Sequence, residues 1–356
     1  MTVWIFVVLI SANLFAKDQP APLAETLSGY SEALNSPAPA VRCDHAENFC
    51  RDPYTTICSD LSTHRDHQLA RAEELGKKKT GSFYTSPRTS EIGAHTQTVI
   101  ANLRQAIGAS TLPEDSKAEF NVLLDRTRIV TASQIKKELF TSKFSATTSD
   151  TIEKEIYSAC GGDLTSPKAF VNQTDDNDKR TLNPIVVICD GLLDTFPNTP
   201  EYDLTTRISM VVGHELSHVM SYEWRPQLYE KITSCMVGRS EGLVKEYVTE
   251  LKKRDDWMDG DTEPTTQQLV GAEMEELSAD YWARKAFVNL LKSQSDRSQE
   301  SLLQKMRQAY AYFCGHPYGG THPSGRVRIE FMANDKTVRE LMGCAPSAPS
   351  TLSCDL

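Results

Sequence analysis

The chain contains 356 residues, with 38 Lys and Arg against 48 Asp and Glu, and its formal net charge is −10. The hydrophobic share of 39% excludes a disordered chain, and no Gly or Pro period suggests collagen. The acidic balance argues against a surface that binds phosphate backbones, so nucleic acid is not an expected partner. The length suits two average domains or one domain with insertions.

The N-terminus has the pattern of a secretory signal. An unbroken apolar run extends from Val3 to Ile10, and polar sequence begins after Ala16. This run is shorter than the roughly 20 apolar residues of a transmembrane helix. We therefore predict a signal peptide over residues 1–16, cut after Ala16 with Leu14 at the −3 position, although no Lys or Arg precedes the run. The alternatives are a buried N-terminal strand and an uncleaved anchor.

The cysteine content agrees with export, because disulfides persist in the periplasm and outside the cell. No later segment is apolar enough to cross a bilayer, so we expect a soluble mature chain without a transmembrane anchor, in the periplasm or outside the cell. Nine cysteines can form at most four disulfides and leave one over, and their spacing does not reveal the pairing. They are Cys43, Cys50, Cys58, Cys160, Cys189, Cys235, Cys314, Cys344 and Cys354.

Composition divides the remainder into three segments. Residues 17–42 are rich in Pro, Ala and Ser and are predicted to be a linker. Residues 43–140 are predicted to be a disulfide-tied helical region that covers the core, and residues 141–356 to be the core itself. Within the core, residues 141–180 are polar and are predicted to be loop. The following apolar run, 185–188, is β-branched and bounded by turn formers, which predicts a strand.

A metal-binding pattern follows this strand. Asp203 is a good N-cap residue for a helix that continues through His214, Glu215 and His218. The two histidines are four residues apart, so both imidazoles project from one helix face and can bind one ion. Glu215 can accept a proton from water without being a ligand. This is the H-E-x-x-H arrangement of zinc peptidases, and the alternative is two surface histidines on an amphipathic helix.

A third ligand for tetrahedral zinc is predicted 58 residues after His218, at Glu276. Glu276 and Asp280 share one face of a second predicted helix, because they are four residues apart. Glu276 can bind zinc while Asp280 accepts a hydrogen bond from the far nitrogen of a ligand histidine. Ala279 keeps the space between the two helices small. The alternative is an acidic, solvated helix face.

Three separated blocks resemble the gluzincin metallopeptidases, the family of HtpX, the CaaX prenyl endopeptidase and BepA. These blocks are the H-E-x-x-H helix, the segment Glu276-Leu-Ser-Ala-Asp280, and the segment Thr321-His-Pro-Ser-Gly-Arg-Val-Arg328-Ile329. The resemblance covers roughly residues 180–335. It implies an α+β, mainly helical, zincin-like fold with a small sheet beside the H-E-x-x-H helix.

The resemblance also implies roles for these residues. One Zn²⁺ per chain would be held by His214, His218 and Glu276, and Glu215 would be the general base of peptide hydrolysis. His322 or Arg328 would donate to the developing oxyanion. Each has an alternative: His322 can bind zinc in a latent state or, with Pro323, begin a helix, and Arg328 can pair with Glu276 or Asp280. His316 is predicted to be a loop residue.

The resemblance extends to the strand before the helix. Ile185, Val186, Val187 and Ile188, with the Gly-Leu-Leu that follows, resemble the family's edge strand and turn. We therefore expect this strand to be the sheet edge beside the cleft, where an extended substrate adds antiparallel. Cys189 is expected to be disulfide-bonded or buried and not catalytic.

Several functions are compatible with these patterns. The first is a zinc-dependent endopeptidase that acts on envelope or extracellular proteins, so the expected partner is a protein or peptide substrate. The second is a metal-binding periplasmic chaperone or scaffold with the same fold and little turnover. A zinc hydrolase of cell-wall peptides is a third, and the acidic charge and the signal oppose a fourth, a DNA-associated protease.

Overall fold

A computed structural model describes most of the chain from His45 onward. The predicted signal, the predicted linker and His322 lie outside the described residues. Residues from Cys43 to Leu356 form one compact unit. The described ranges are 45–58, 64–79, 81–140, 146–166, 168–176, 181–194, 203–220, 266–316 and 324–345.

The described residues are mainly helical, with one small sheet, so the predicted α+β class is confirmed. The helices are α1 (His45–Arg51), α2 (Pro53–Cys58), α3 (His64–Lys77), α4 (Ile92–Ala109), α5 (Glu114–Arg126), α6 (Ala132–Phe140), α7 (Ala146–Cys160), α8 (Asp190–Asp194), α9 (Leu204–Ser217), α10 (Thr266–Lys292), α11 (Gln299–Tyr310), α12 (Gly325–Ala333) and α13 (Lys336–Leu341). Short 3₁₀ turns are η1 (Pro87–Ser90), η2 (His218–Met220) and η3 (Ala311–Phe313).

Three strands form a mixed sheet in the order β1-β3-β2. They are β1 (Arg128–Thr131), β2 (Ala169–Asp176) and β3 (Thr181–Ile188). β3 pairs parallel with β1 and antiparallel with β2. The prediction that 185–188 is the edge strand is therefore wrong, because β3 lies in the centre of the sheet and β2 forms the edge on the side of α9.

The burial of β3 explains its central position. Val186 and Ile188 pack into the core that contains α4, α9 and α10, whereas Ile185 and Val187 pack into the core against α6 and α7. All four side chains are buried. An unbroken apolar run is typical of a strand covered on both faces, whereas an edge strand with one solvated face alternates apolar and polar residues.

Two further predictions for the segments before β3 need correction. The region 141–180, predicted to be loop, contains α7 and β2. The helical region before it contains β1, a strand of four residues between α5 and α6. β1 is too short to show the alternation of apolar and polar residues that identifies a strand in a sequence. It is a strand because it pairs with β3, which is distant in the sequence.

Among the described residues, three disulfides cross-link this unit. Two join the N-terminal helices to the C-terminal region, Cys50–Cys344 and Cys58–Cys314, and the third, Cys160–Cys189, joins α7 to the end of β3. The last pair confirms that Cys189 is disulfide-bonded. Such cross-links indicate an oxidising, exported environment. Within the described residues, no helix has the length and apolarity needed to cross a bilayer.

Candidate metal centre

Helix α9 carries His214, is followed directly by His218, and begins where the sequence predicts. The carboxylate of Asp203 accepts hydrogen bonds from the backbone N–H groups of Thr205 and Thr206, at 3.1 and 3.3 Å. This cap satisfies two of the N–H groups that a helix start leaves unpaired. The α-helix ends at Ser217, and His218 begins the 3₁₀ turn η2. One helical turn therefore separates the buried His214 from His218.

Three side-chain atoms that could bind a metal ion lie close together at the end of α9. Nε2 of His214 lies 3.0 Å from Nε2 of His218 and 3.0 Å from Oε2 of Glu276. Nε2 of His218 lies 3.6 Å from the same carboxylate oxygen. Two ligands bound at about 2.0–2.2 Å in tetrahedral geometry lie about 3.3–3.5 Å apart. The three measured separations bracket this value, so these residues could hold a metal ion.

The protonation of His214 supports the same interpretation. Oδ1 of Asp280 lies 2.8 Å from Nδ1 of His214, and this hydrogen bond assigns the ring proton to Nδ1. In the neutral imidazole, Nε2 then presents a lone pair toward Oε2 of Glu276, which is also an acceptor. Two acceptors approach to 3.0 Å only with a proton or a cation between them.

The helix pair α9–α10 brings these residues together because its backbones approach closely beside the site. A Cβ placed on Gly213 would lie 3.3 Å from both Cα and Cβ of Ala283. Gly213 immediately precedes His214, and Ala283 lies three residues after Asp280. The lack of a side chain at position 213 therefore allows the two helices to approach closely next to the contact between Asp280 and His214.

Arg328, on α12, completes the arrangement behind His214. Its Nε donates to Oδ2 of Asp280 at 2.7 Å, and its Nη2 donates to Oδ1 at 2.5 Å. Both side chains are buried. Burial alone would raise the pKa of Asp280, but the charges of Arg328 and His214 hold this pKa at about 2. Asp280 is therefore ionised, and it fixes the ring of His214 as an outer carboxylate does in many metal sites.

Glu215 lies beside the converging donor atoms and is half-buried. Burial raises the pKa of its carboxyl group, and the charges of His214 and His218 act in the opposite direction. The charge of Glu276 raises it further. Glu215 is thus electrostatically coupled to the candidate ligands. A carboxylate in this environment is a stronger base than one in water.

The structure brings together most of the site residues that the sequence predicts. His214, Glu215, His218, Glu276 and Asp280 lie in one cluster. Of the two predicted oxyanion donors, one lies outside the described residues, and Arg328 forms the ion pair with Asp280 that was its alternative.

His316 follows η3 as a loop residue, and its ring stacks on that of Tyr312 with centroids 5.0 Å apart.

Three residues of the site were missed by the sequence analysis. Gly213 could have been found from its place in the H-E-x-x-H helix, where a Gly indicates close packing. Phe313 and Tyr312 carry no such signal, because their contacts with the site depend on the path of η3. Burial raises the pKa of Tyr312 to about 12, with an opposing effect of Arg328 and a further increase from Glu215. Its hydroxyl therefore remains a hydrogen-bond donor at neutral pH.

Comparison with known proteins gives no assignment: no protein-family model matches the chain, and no curated protein does. The fold and the donor set define a mainly helical α+β protein with a buried His-His-Glu group that could hold a metal ion.

Proposed function

We propose that this protein is a zinc-dependent endopeptidase with a zincin-like fold, related to the gluzincins. The observation that carries the proposal is the convergence of His214, His218 and Glu276, with Glu215 beside them. Two imidazoles and one carboxylate form a typical ligand set of a catalytic zinc site, which leaves one position open. The three disulfides favour action in the periplasm or outside the cell.

The residues of the site divide the chemistry among them. A zinc ion, when bound, supplies a Lewis acid that lowers the pKa of water and polarises the scissile carbonyl. Glu215 accepts the proton of the attacking water at its carboxylate and returns it to the leaving amine. Asp280, itself held by Arg328, accepts a hydrogen bond from Nδ1 of His214 and so orients Nε2 toward the ligand cluster. His322 stays a predicted oxyanion donor.

The edge strand β2 offers the backbone to which a peptide substrate would add. The N–H of Cys189 donates to the carbonyl of Lys168, and hydrogen-bonded pairs alternate along an antiparallel ladder. Phe170 and Asn172 therefore direct their backbone groups toward β3. The backbone N–H and C=O groups of the alternate residues point away from β3, to a side on which no described strand pairs; these residues are Ala169, Val171 and Gln173. Because β2 contacts both α9 and η2, a peptide on this edge would pass beside His218.

The decisive experiment separates metal binding from turnover. The wild-type protein, Glu215→Gln and the exposed-site control Glu153→Gln are stripped, reloaded with zinc, and assayed for zinc content and casein cleavage. We expect one zinc per chain in all three, and a loss of cleavage of about 10²–10⁴-fold in Glu215→Gln alone. Stoichiometric zinc without chelator-sensitive cleavage by the wild type would instead favour the chaperone or scaffold alternative. His214→Ala is expected to lose zinc.

A second experiment tests the position of the substrate. Val171→Pro removes an N–H that β3 does not use, so the sheet is retained while one substrate hydrogen bond is lost. We expect kcat/KM for an extended peptide to fall about tenfold, the value of one hydrogen bond. Val171→Ala is the control, because it loses side-chain packing and keeps the N–H. Equal kcat/KM values for the two variants would show that peptides bind elsewhere.

A further inference from the structure

The guanidinium group of Arg328 has two different kinds of neighbour. Its Nε and Nη2 are directed to Asp280, and its Nη2 also lies 3.1 Å from Nδ1 of His214. One face of the same group lies on the ring of Phe313, with Cζ 4.0 Å from the ring centroid. Arg328 is 6% exposed and Phe313 is 2% exposed. An aromatic face attracts a cation most strongly where water is excluded, as it is here.

The backbone around Phe313 is held in place on several sides. Its neighbour Cys314 is bonded to Cys58. A Cβ on Gly325, the first residue of α12, would lie 1.7 Å from the carbonyl oxygen of Phe313, so the start of the Arg328 helix is seated directly on η3. The ring of Phe313 also contacts that of Tyr310, with centroids 5.7 Å apart. The ring can therefore move little relative to the guanidinium group.

We propose that Phe313 is a positioning residue of the metal centre. It acts through Arg328: the ring fixes the plane of the guanidinium group, and this plane fixes both oxygens of Asp280. Asp280 in turn orients His214 and holds its proton on Nδ1. Without the ring, the buried guanidinium group of Arg328 could tilt. The carboxylate of Asp280 would then shift, and its hydrogen bond to His214 would weaken. The inference rests on the proposed metal site and not on the reaction that occurs there.

The test measures zinc affinity by chelator competition, without any substrate. Phe313→Leu is compared with Phe287→Leu, because Phe287 is a fully buried ring of the same core cluster that contacts Tyr310. We expect Phe313→Leu to bind zinc about tenfold more weakly, the lower end of the range for residues that support metal ligands. We expect Phe287→Leu to stay within about twofold of wild type at a similar loss of stability. Equal losses of affinity in the two variants would overturn the proposal.

A double-mutant cycle separates positioning from general destabilisation. If Phe313 acts through Arg328, Phe313→Leu has no further effect on zinc affinity in an Arg328→Met background. Effects that add fully in the double variant would overturn the pathway through Arg328. A wild-type protein that binds no zinc would overturn both this proposal and the metal site. A protein that binds zinc without cleaving casein would refute only the proposed peptidase function.

Discussion

Gly213 provides the sharpest test of how the two site helices determine metal affinity. In Gly213→Ala the new Cβ would lie 3.3 Å from Cα and Cβ of Ala283, whereas carbon atoms in contact prefer about 3.5–4.0 Å. Alanine favours the helix by about 1 kcal/mol over glycine. Overpacking of a tight interface costs about 1–3 kcal/mol. The two effects oppose each other, so we expect a free energy of unfolding between unchanged and about 2 kcal/mol lower.

The same substitution is also expected to lower zinc affinity. To relieve the contact, α9 and α10 must separate by about 0.4 Å, which takes the Ala283 contact to an ordinary length. Metal–ligand distances in proteins hold within about 0.2 Å. Since His214 and Glu276 lie on different helices, the shift exceeds this tolerance. We expect zinc affinity to fall about tenfold, as it does when supporting residues are lost.

A compensating double variant tests whether the separation of the two helices lowers zinc affinity. Gly213→Ala/Ala283→Gly moves one methyl group across the interface, so the helices can return to their original distance. We expect zinc affinity to recover in this double variant, although Ala283→Gly by itself costs about 2 kcal/mol through helix propensity and a lost buried methyl group. Chelator competition and urea unfolding measure the two quantities. A Gly213→Ala protein that binds zinc as the wild type does, and is more stable by about 1 kcal/mol, would refute the argument.

Two further predictions concern the removal of disulfides and the pH dependence of stability. Because Cys50–Cys344 already closes the long loop, the Cys58–Cys314 bond closes a ring of only about 38 residues. The Cys160–Cys189 bond closes a ring of 29 residues. Replacing either pair with serines should therefore lower the free energy of unfolding by about 4 kcal/mol. Only the first should weaken zinc binding, and equal zinc affinities would contradict a link through η3. The pKa of Asp280 is about 2 in the folded protein and near 3.9 when unfolded, so its contribution of about 2.5 kcal/mol is present above pH 4 and lost toward pH 2. Urea unfolding of metal-free protein should show this loss in the wild type and not in Asp280→Asn.

The candidate site could be predicted from sequence because its spacing is local. His214 and His218, and likewise Glu276 and Asp280, are each one helical turn apart, and the helical period alone places each pair on one face. The meeting of the two pairs was predicted from the need of tetrahedral zinc for a third ligand, and the resemblance to a family agreed with it. The partner of Arg328 stayed open between Glu276 and Asp280, because which carboxylate it reaches depends on where α12 packs.

The order of the strands could not be predicted in the same way. Strand order depends on pairings between residues far apart in sequence, such as Val130 with Val187. The apolar run at 185–188 did contain a usable signal, because four buried residues in succession favour a central strand over an edge. The family resemblance predicts the edge at β3, whereas the edge beside α9 is β2. The contact of Phe313 with Arg328 had no local signal at all.

The charges of the site restrict which ion it selects. Asp280 and Arg328 compensate each other as a buried pair, which leaves the carboxylates of Glu215 and Glu276 beside two imidazoles, and an imidazole binds a metal ion in its neutral form. A divalent cation would balance these two charges. Imidazole nitrogens favour zinc and other transition metals, whereas Mg²⁺ and Ca²⁺ prefer sites made of oxygen atoms. We therefore expect zinc in the loaded protein to resist millimolar Mg²⁺ or Ca²⁺, as measured by release to a chromogenic chelator. Displacement by either ion would show that oxygen atoms dominate the site and that His214 and His218 do not both bind the metal.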